Sequence, residues 1–152
     1  MKVRTKAFGE VELAEDKVIT FKNGIIGYPE LTHFALLHDE EKGSQAGIRW
    51  LQSLDEESFS MPVMDPLMIQ NNYDPTVEED WMKDLGDLSE ENLLVLVTVR
   101  VPSDLTQMSV NLQGPIIINV TERKACQIIV DPETYPIKFP IYEILKSAKG
   151  VE

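Results

Sequence analysis

Two histidines, His33 and His38, are the only imidazoles in this 152-residue chain, and they set the first test for catalysis. Their separation of five positions does not match the i, i+4 pair that puts two zinc ligands on one helix face. His38 and Asp39 are adjacent, so on a strand they point to opposite faces and cannot act as a base and its orienter. Ser53, in LQSLD, has no flanking glycines and is not a nucleophile elbow. GIIGYPEL (24–31) has glycines but lacks the lysine and the spacing of a phosphate loop. The acidic runs at 39–41, 55–57 and 78–80 could chelate a hard cation. Calcium loops, however, need ligands at set spacings around a turn-making glycine, and these runs read as solvated acidic faces. Cys126 is the single cysteine. Set among apolar residues in ACQIIV, it reads as a small buried hydrophobe rather than a reactive thiol. No catalytic constellation, metal site or cofactor site is expected.

Binding chemistry is better represented, in two strings. RWLQSLDEE (49–57) sets Trp50, Leu51 and Leu54 beside Gln52 and Ser53, followed by Asp55, Glu56 and Glu57. Along a strand Trp50, Gln52 and Leu54 share one face and Leu51 and Ser53 the other, so one face mixes apolar and polar groups. Trp50 is then either core or an aromatic anchor rimmed by acids, as at interface hot spots. VNLQGPIIIN (110–119) is a strand interrupted by Gly114 and Pro115, neither of which suits a central strand. Proline there predicts an exposed edge or a bulge. Val110, Leu112, Ile116 and Ile118 are expected to pack. Asn111, Gln113, Pro115, Ile117 and Asn119 are the expected partner face, unless a bulge shifts the register by one and reverses the assignment.

Charge narrows the partner. The net charge is −12, and residues 30–104 hold 4 basic and 17 acidic groups, a net of −13. Such a field repels phosphate backbones and attracts a basic protein. Direct nucleic-acid binding is therefore not expected. No apolar run approaches the roughly 18 residues of a membrane span, and MKVRTKAFGEVEL lacks a signal-peptide core. A cytoplasmic location and a single domain over 1–152 are expected.

The elements that must carry these strings read as short strands. Lys2 to Phe8, KVITF (17–21), FALLHD (34–39), Ile48 to Leu54, SFSMPVM (58–64), NLLVLVTVRV (92–101) and ACQIIVD (125–131) all have strand character. Pro62 demotes its run to an edge or a bulge. Asn23 and Gly24 predict a tight turn. Pro29 predicts a short helix over PELTHF, Val77, Trp81 and Leu85 predict an acidic helix, and IYEILKSAK predicts another near the end. The fold class is mainly β: a small antiparallel barrel-like domain with one to three short helices.

Four segments resemble one known family, the bacterial flagellar assembly factor FliW: GIIGYPEL (24–31), RWLQSLDEESFSMPVMDP (49–66), VTVRVPSDLTQMSVNLQGPIIIN (97–119) and VDPETYPIKFPI (130–141). The match runs along nearly the whole chain. Two departures stand out: Gly114 replaces a residue that more often has a side chain, and Glu57 replaces a frequent proline. The resemblance implies a cytoplasmic, non-catalytic barrel that binds flagellin before export. It also implies binding of CsrA, a small RNA-binding repressor of flagellin translation, through an allosteric block rather than occlusion of the RNA site. On this reading Trp50, Gln52, Ser53, Asn111, Gln113, Pro115, Ile117 and Asn119 form the interaction region, with Asp55, Glu56 and Glu57 at its rim, and a monomer is expected. Two alternatives stay open: an acidic metal-dependent hydrolase, and a nucleic-acid mimic competing for an RNA-binding protein's site.

Overall fold

The computed structural model describes residues 1–37, 48–70, 72–75 and 79–150. The end of the expected strand FALLHD (His38 and Asp39), the acidic run at 39–41 with the loop after it, and Val77 and Glu78 lie outside the described residues. Eleven strands are described: β1 (Lys2–Thr5), β2 (Gly9–Glu12), β3 (Ile19–Phe21), β4 (His33–Leu37), β5 (Ile48–Ser53), β6 (Ser60–Met64), β7 (Leu93–Arg100), β8 (Ser109–Val110), β9 (Ile116–Asn119), β10 (Lys124–Gln127) and β11 (Phe139–Pro140). Two α-helices are α1 (Glu79–Met82) and α2 (Tyr142–Gly150). Strands β7, β6, β5, β4, β3, β10 and β9 pair in that order, and β9 pairs back onto β7, closing a seven-strand barrel. Among the described strand pairs, only β3–β10 is parallel. Closure removes the free edges that short strands would otherwise present. The mainly β, barrel-like expectation is thus met.

Alternation along the strands builds an inner core and two outer ones. Ile19, Phe21, Phe34, Leu51, Val63, Leu96, Ile116 and Ile118 fill the barrel interior. Each fully buried side chain of this size stabilises the fold by roughly 1.5–3 kcal/mol. The opposite faces of β6 and β7 contribute Met64, Val97 and Val99 to a second cluster, closed by Ile69, Tyr73, Val110, Leu112 and Ile141. Ile117, on the outer face of β9, packs with Leu85, Ile128 and Val130 in a third.

The prolines explain two differences from expectation. Pro62 is not on an edge: β6 pairs with β5 along its whole length and with β7 at Val63 and Met64. Ser53 N–H donates to the Phe59 carbonyl at 2.9 Å, so Trp50 and Pro62 form a non-bonded pair. The missing Pro62 N–H therefore faces away from β5, where the pairing with β7 has not yet begun, and no ladder bond is lost. Pro115 likewise lies just before β9, and the strand it introduces is central, flanked by β7 and β10. The interruption is a side-chain-capped turn: Asn111 Oδ1 accepts the N–H groups of Gln113 and Gly114, each at 3.0 Å. Asparagine commonly closes such turns.

The helix expected at PELTHF is absent. Tyr28 N–H donates to the Ile25 carbonyl at 2.8 Å, closing a tight turn, and β4 begins at His33. Gly24 has φ +67°, and a Cβ there would come within 2.6 Å of Pro29 backbone atoms. The segment therefore crosses itself closely at a residue only glycine suits. The acidic helix is short, α1 followed by a 3-10 turn at Lys83–Leu85.

Candidate functional site

Gln52 shows what the polar residues of the first string do. It is fully buried. Its Oε1 accepts the Lys6 N–H at 2.9 Å, and its Nε2 donates to the carbonyls of Ser53 (2.9 Å), Glu57 (2.9 Å) and Phe59 (3.2 Å). Ser53, also fully buried, uses Oγ to accept from Asp55 N–H (3.1 Å) and Glu56 N–H (2.9 Å). The expected exposure of Gln52 and Ser53 is therefore corrected. The β1–β2 hairpin covers the outer face of β5 at this point, and the backbone of the hairpin turn needs acceptors there.

The second string is corrected in the same way. Pro115, Ile117 and Asn119 are buried. Ile117 is covered by Leu85 and the extended chain at 128–130. Asn119 donates from Nδ2 to the carbonyls of Leu85 (2.7 Å) and Asp87 (3.2 Å) and accepts at Oδ1 from Thr121 and Glu122 N–H at 3.0 Å. Asn111 and Gln113 are half-buried, and Gln113 Nε2 donates to the Tyr135 carbonyl at 3.3 Å. Val110, Leu112, Ile116 and Ile118 are buried, as the packing assignment expects. Nor do the two strings meet: around the ring, β6 and β7 separate β5 from β9 on one side, and β4, β3 and β10 on the other. Trp50 is half-buried on the outer face of β5, opposite Leu37 and Pro62.

Asp55, Glu56 and Glu57 are exposed, as expected, and they have company that the sequence reading did not assign. Tyr28 is 45% exposed, and its ring packs edge-on against Phe59 with centroids 4.7 Å apart. Phe59 N–H donates to the Glu56 carbonyl at 3.0 Å, so Glu57 and Ser58 sit at the tip of the turn beside this aromatic pair. Asp55 Oδ2 accepts from Thr32 N–H (2.9 Å) and His33 N–H (3.0 Å), tying the turn to the strand that follows Tyr28 and the exposed Glu30. Burial alone raises the Asp55 pKa, but the His33 and Thr32 N–H groups and the His33 ring outweigh it and hold the carboxyl below its usual value. The result is an exposed tyrosine packed against the turn that carries Asp55, Glu56 and Glu57, with Glu30 on its own segment. The clue lay in GIIGYPEL: a tyrosine between glycine and proline is set in a turn, where a ring is readily exposed.

The groups around His33 are not arranged as a catalytic relay. Thr32 Oγ1 lies 3.0 Å from His33 Nδ1, and Asp55 Oδ1 lies 3.6 Å from the same nitrogen. A nucleophile–base–orienter relay needs the two partners on different ring nitrogens. Cys126 is half-buried, and its thiol is pushed up to about 11 by burial, with the Asp84 carboxylate adding to the effect. Among the described residues no three His, Cys, Asp or Glu side chains group to hold a metal ion. No described helix is long and apolar enough to cross a membrane.

Fold and surface together define a small closed β-barrel whose interior is packed with side chains and whose distinctive chemistry lies outside. Its relatives specify the class. The model of the FliW protein family matches residues 2–141, and the chain belongs to that family. It is 44% identical over 151 residues to the flagellar assembly factor FliW of Lachnospira eligens, covering 99% of this chain and 100% of the relative. It is 43% identical over 143 residues to that of Lachnoclostridium phytofermentans, covering 94% and 92%. A crystal structure of the flagellar assembly factor FliW superposes with a TM-score of 0.84 at 26% identity, covering 93% of this chain and 96% of the other.

Proposed function

We propose that this protein is a non-enzymatic, cytoplasmic partner switch that acts as a monomeric single domain over residues 1–152. It binds flagellin, and when flagellin has left it binds CsrA and holds that repressor off the flagellin transcript. The block on CsrA is allosteric. The observation that carries the reading is the surface around Tyr28, where an exposed tyrosine packs on Phe59 at the base of the turn that carries the exposed Asp55, Glu56 and Glu57, with the exposed Glu30 two residues along the chain. Cationic side chains dock on such a surface through the ring face and the carboxylates together. Among the described residues, the His33 ring beside Asp55 is a titratable neighbour of this surface. Within the two sequence strings, Trp50, Asp55, Glu56, Glu57, Asn111 and Gln113 retain exposed surface and stay candidates for partner contact; Gln52, Ser53, Pro115, Ile117 and Asn119 act by shaping it.

A pull-down with purified flagellin and purified CsrA tests the reading, and retention of neither would sink it. The CsrA contact should strengthen as salt is lowered, because exposed charges are screened over about a Debye length. Inhibition of CsrA–RNA binding should be noncompetitive. Competitive inhibition would favour the nucleic-acid-mimic reading, which the net −13 of residues 30–104 keeps in play.

A further inference from the structure

A groove of about 680 Å³ lies beside the end of β10, walled by residues 22–27 on one side and 125–129 on the other. It opens because β3 and β10 pair only at Lys124↔Thr20 and Ala125↔Phe21. The chain then turns away from β10, with Gly24 N–H donating to the Phe21 carbonyl at 2.9 Å. Past β10 the other wall stays extended. Ile128 N–H donates to the Pro115 carbonyl at 3.1 Å and Val130 N–H to the Gln113 carbonyl at 2.8 Å. Backbone groups alternate sides along a strand, so Gln127 and Ile129 aim their N–H and C=O groups the other way, into the groove. The Ile129 N–H has no backbone partner among the described residues. The Gln127 side chain fixes both walls: Oε1 accepts the Ile26 N–H at 2.9 Å, and Nε2 donates to the Gly114 carbonyl at 2.9 Å.

The lining says what fits. Ile26 is 50% and Ile129 48% exposed, facing one groove. The charged groups at the rim are Lys22, Lys83, Asp80 and Asp84, two of each sign, and Lys22 Nζ lies 3.2 Å from Asp84 Oδ1. In a chain of net charge −12, this groove is locally neutral. It does not complement a basic partner, and it matches an uncharged one. An open strand edge beside aliphatic side chains takes an extended segment, whose backbone completes the ladder while alternate side chains reach the apolar wall.

We propose that the groove receives an extended, uncharged, aliphatic segment of flagellin, added as a strand along residues 127–129. This rests on the partner-binding reading above and separates the two partners: the neutral groove takes flagellin, the acidic surface around Tyr28 takes CsrA. The test uses the full chain with full-length flagellin and CsrA, by titration calorimetry and by hydrogen exchange of the wild-type protein. Ile129→Asp and Ile26→Asp should each weaken flagellin binding tenfold or more, with CsrA binding within twofold of wild type. Amides at 127 and 129 should exchange freely in the unbound protein and become protected in the flagellin complex. Full flagellin affinity in both variants would overturn the groove assignment and leave the partner reading standing. So would amides that are protected before binding or unprotected after it; these hold for wild type even if a variant fails to fold. Wild-type protein that binds CsrA but not flagellin would overturn the flagellin half of the reading and the groove with it. Binding to neither would overturn both.

Discussion

Gln52 and Lys6 are 46 residues apart in the chain and joined by one hydrogen bond, the buried carboxamide accepting the Lys6 N–H at 2.9 Å. The same side chain donates to three carbonyls of the turn that carries Glu57 and Phe59. One residue therefore holds the β1–β2 hairpin against the barrel and sets the shape of the acidic turn on which the Tyr28 ring rests.

Replacing Gln52 by leucine, similar in size but without polar atoms, should strand those groups. An unsatisfied buried polar group costs roughly 1–3 kcal/mol, and a loss of about 2–3 kcal/mol in urea unfolding is expected. The accompanying local signature is fast hydrogen exchange at Lys6. Unchanged stability with Lys6 still protected would show that the hairpin is held by other contacts.

What could be read from the chain, and what could not, divides along a physical line. Strands such as LLVLVTVR in β7 were legible because alternation and β-branched side chains report directly on a pleated, half-buried surface. The inward pair Ile116 and Ile118 followed from the same period. Exposure on the outward face was not legible. Gln52, Ile117 and Asn119 look surface-bound by alternation, yet each is roofed by chain distant in sequence: the β1–β2 hairpin over Gln52, residues 85–87 over Ile117 and Asn119. Polar residues beneath such a roof satisfy its backbone, and nothing in a two-residue period distinguishes that from a docking face. The helix expected after Pro29 failed for a different reason. Close approach at Gly24 commits the segment to a turn, which overrides a proline's fitness for a helix start.

Glu57 gives a second measurable consequence. It occupies the second position of the turn closed by Phe59 N–H and the Glu56 carbonyl, a position that favours proline. Only its carbonyl has a described hydrogen bond, from Gln52, so losing the N–H removes no described contact. Glu57→Pro should raise stability by about 0.4–1 kcal/mol by restricting the unfolded chain. On the proposed CsrA-binding reading, association with CsrA should slow at low salt because one rim carboxylate is gone. A lower melting temperature would mean that the backbone at 57 does not adopt the angles proline requires.

Asp55 links this surface to pH. Its carboxylate accepts the Thr32 and His33 N–H groups and lies 3.6 Å from the His33 ring, and these hold its pKa below the usual aspartate value despite the opposing effect of burial. A carboxyl whose folded pKa is depressed adds stability that is present above the unfolded value. That stability is lost as pH falls through the folded value. The window here lies below about pH 4, and the effect is modest because the side chain is partly exposed and screened by solvent. Asp55→Asn keeps an oxygen that can accept from both backbone N–H groups but removes the titration. Wild type should therefore melt at a higher temperature than Asp55→Asn at pH 6, and the gap should narrow between pH 4 and pH 3. Melting curves at low ionic strength over pH 3–7 provide the test. A gap that stays constant throughout that range would show that the geometry of the turn, rather than the charge of Asp55, stabilises it.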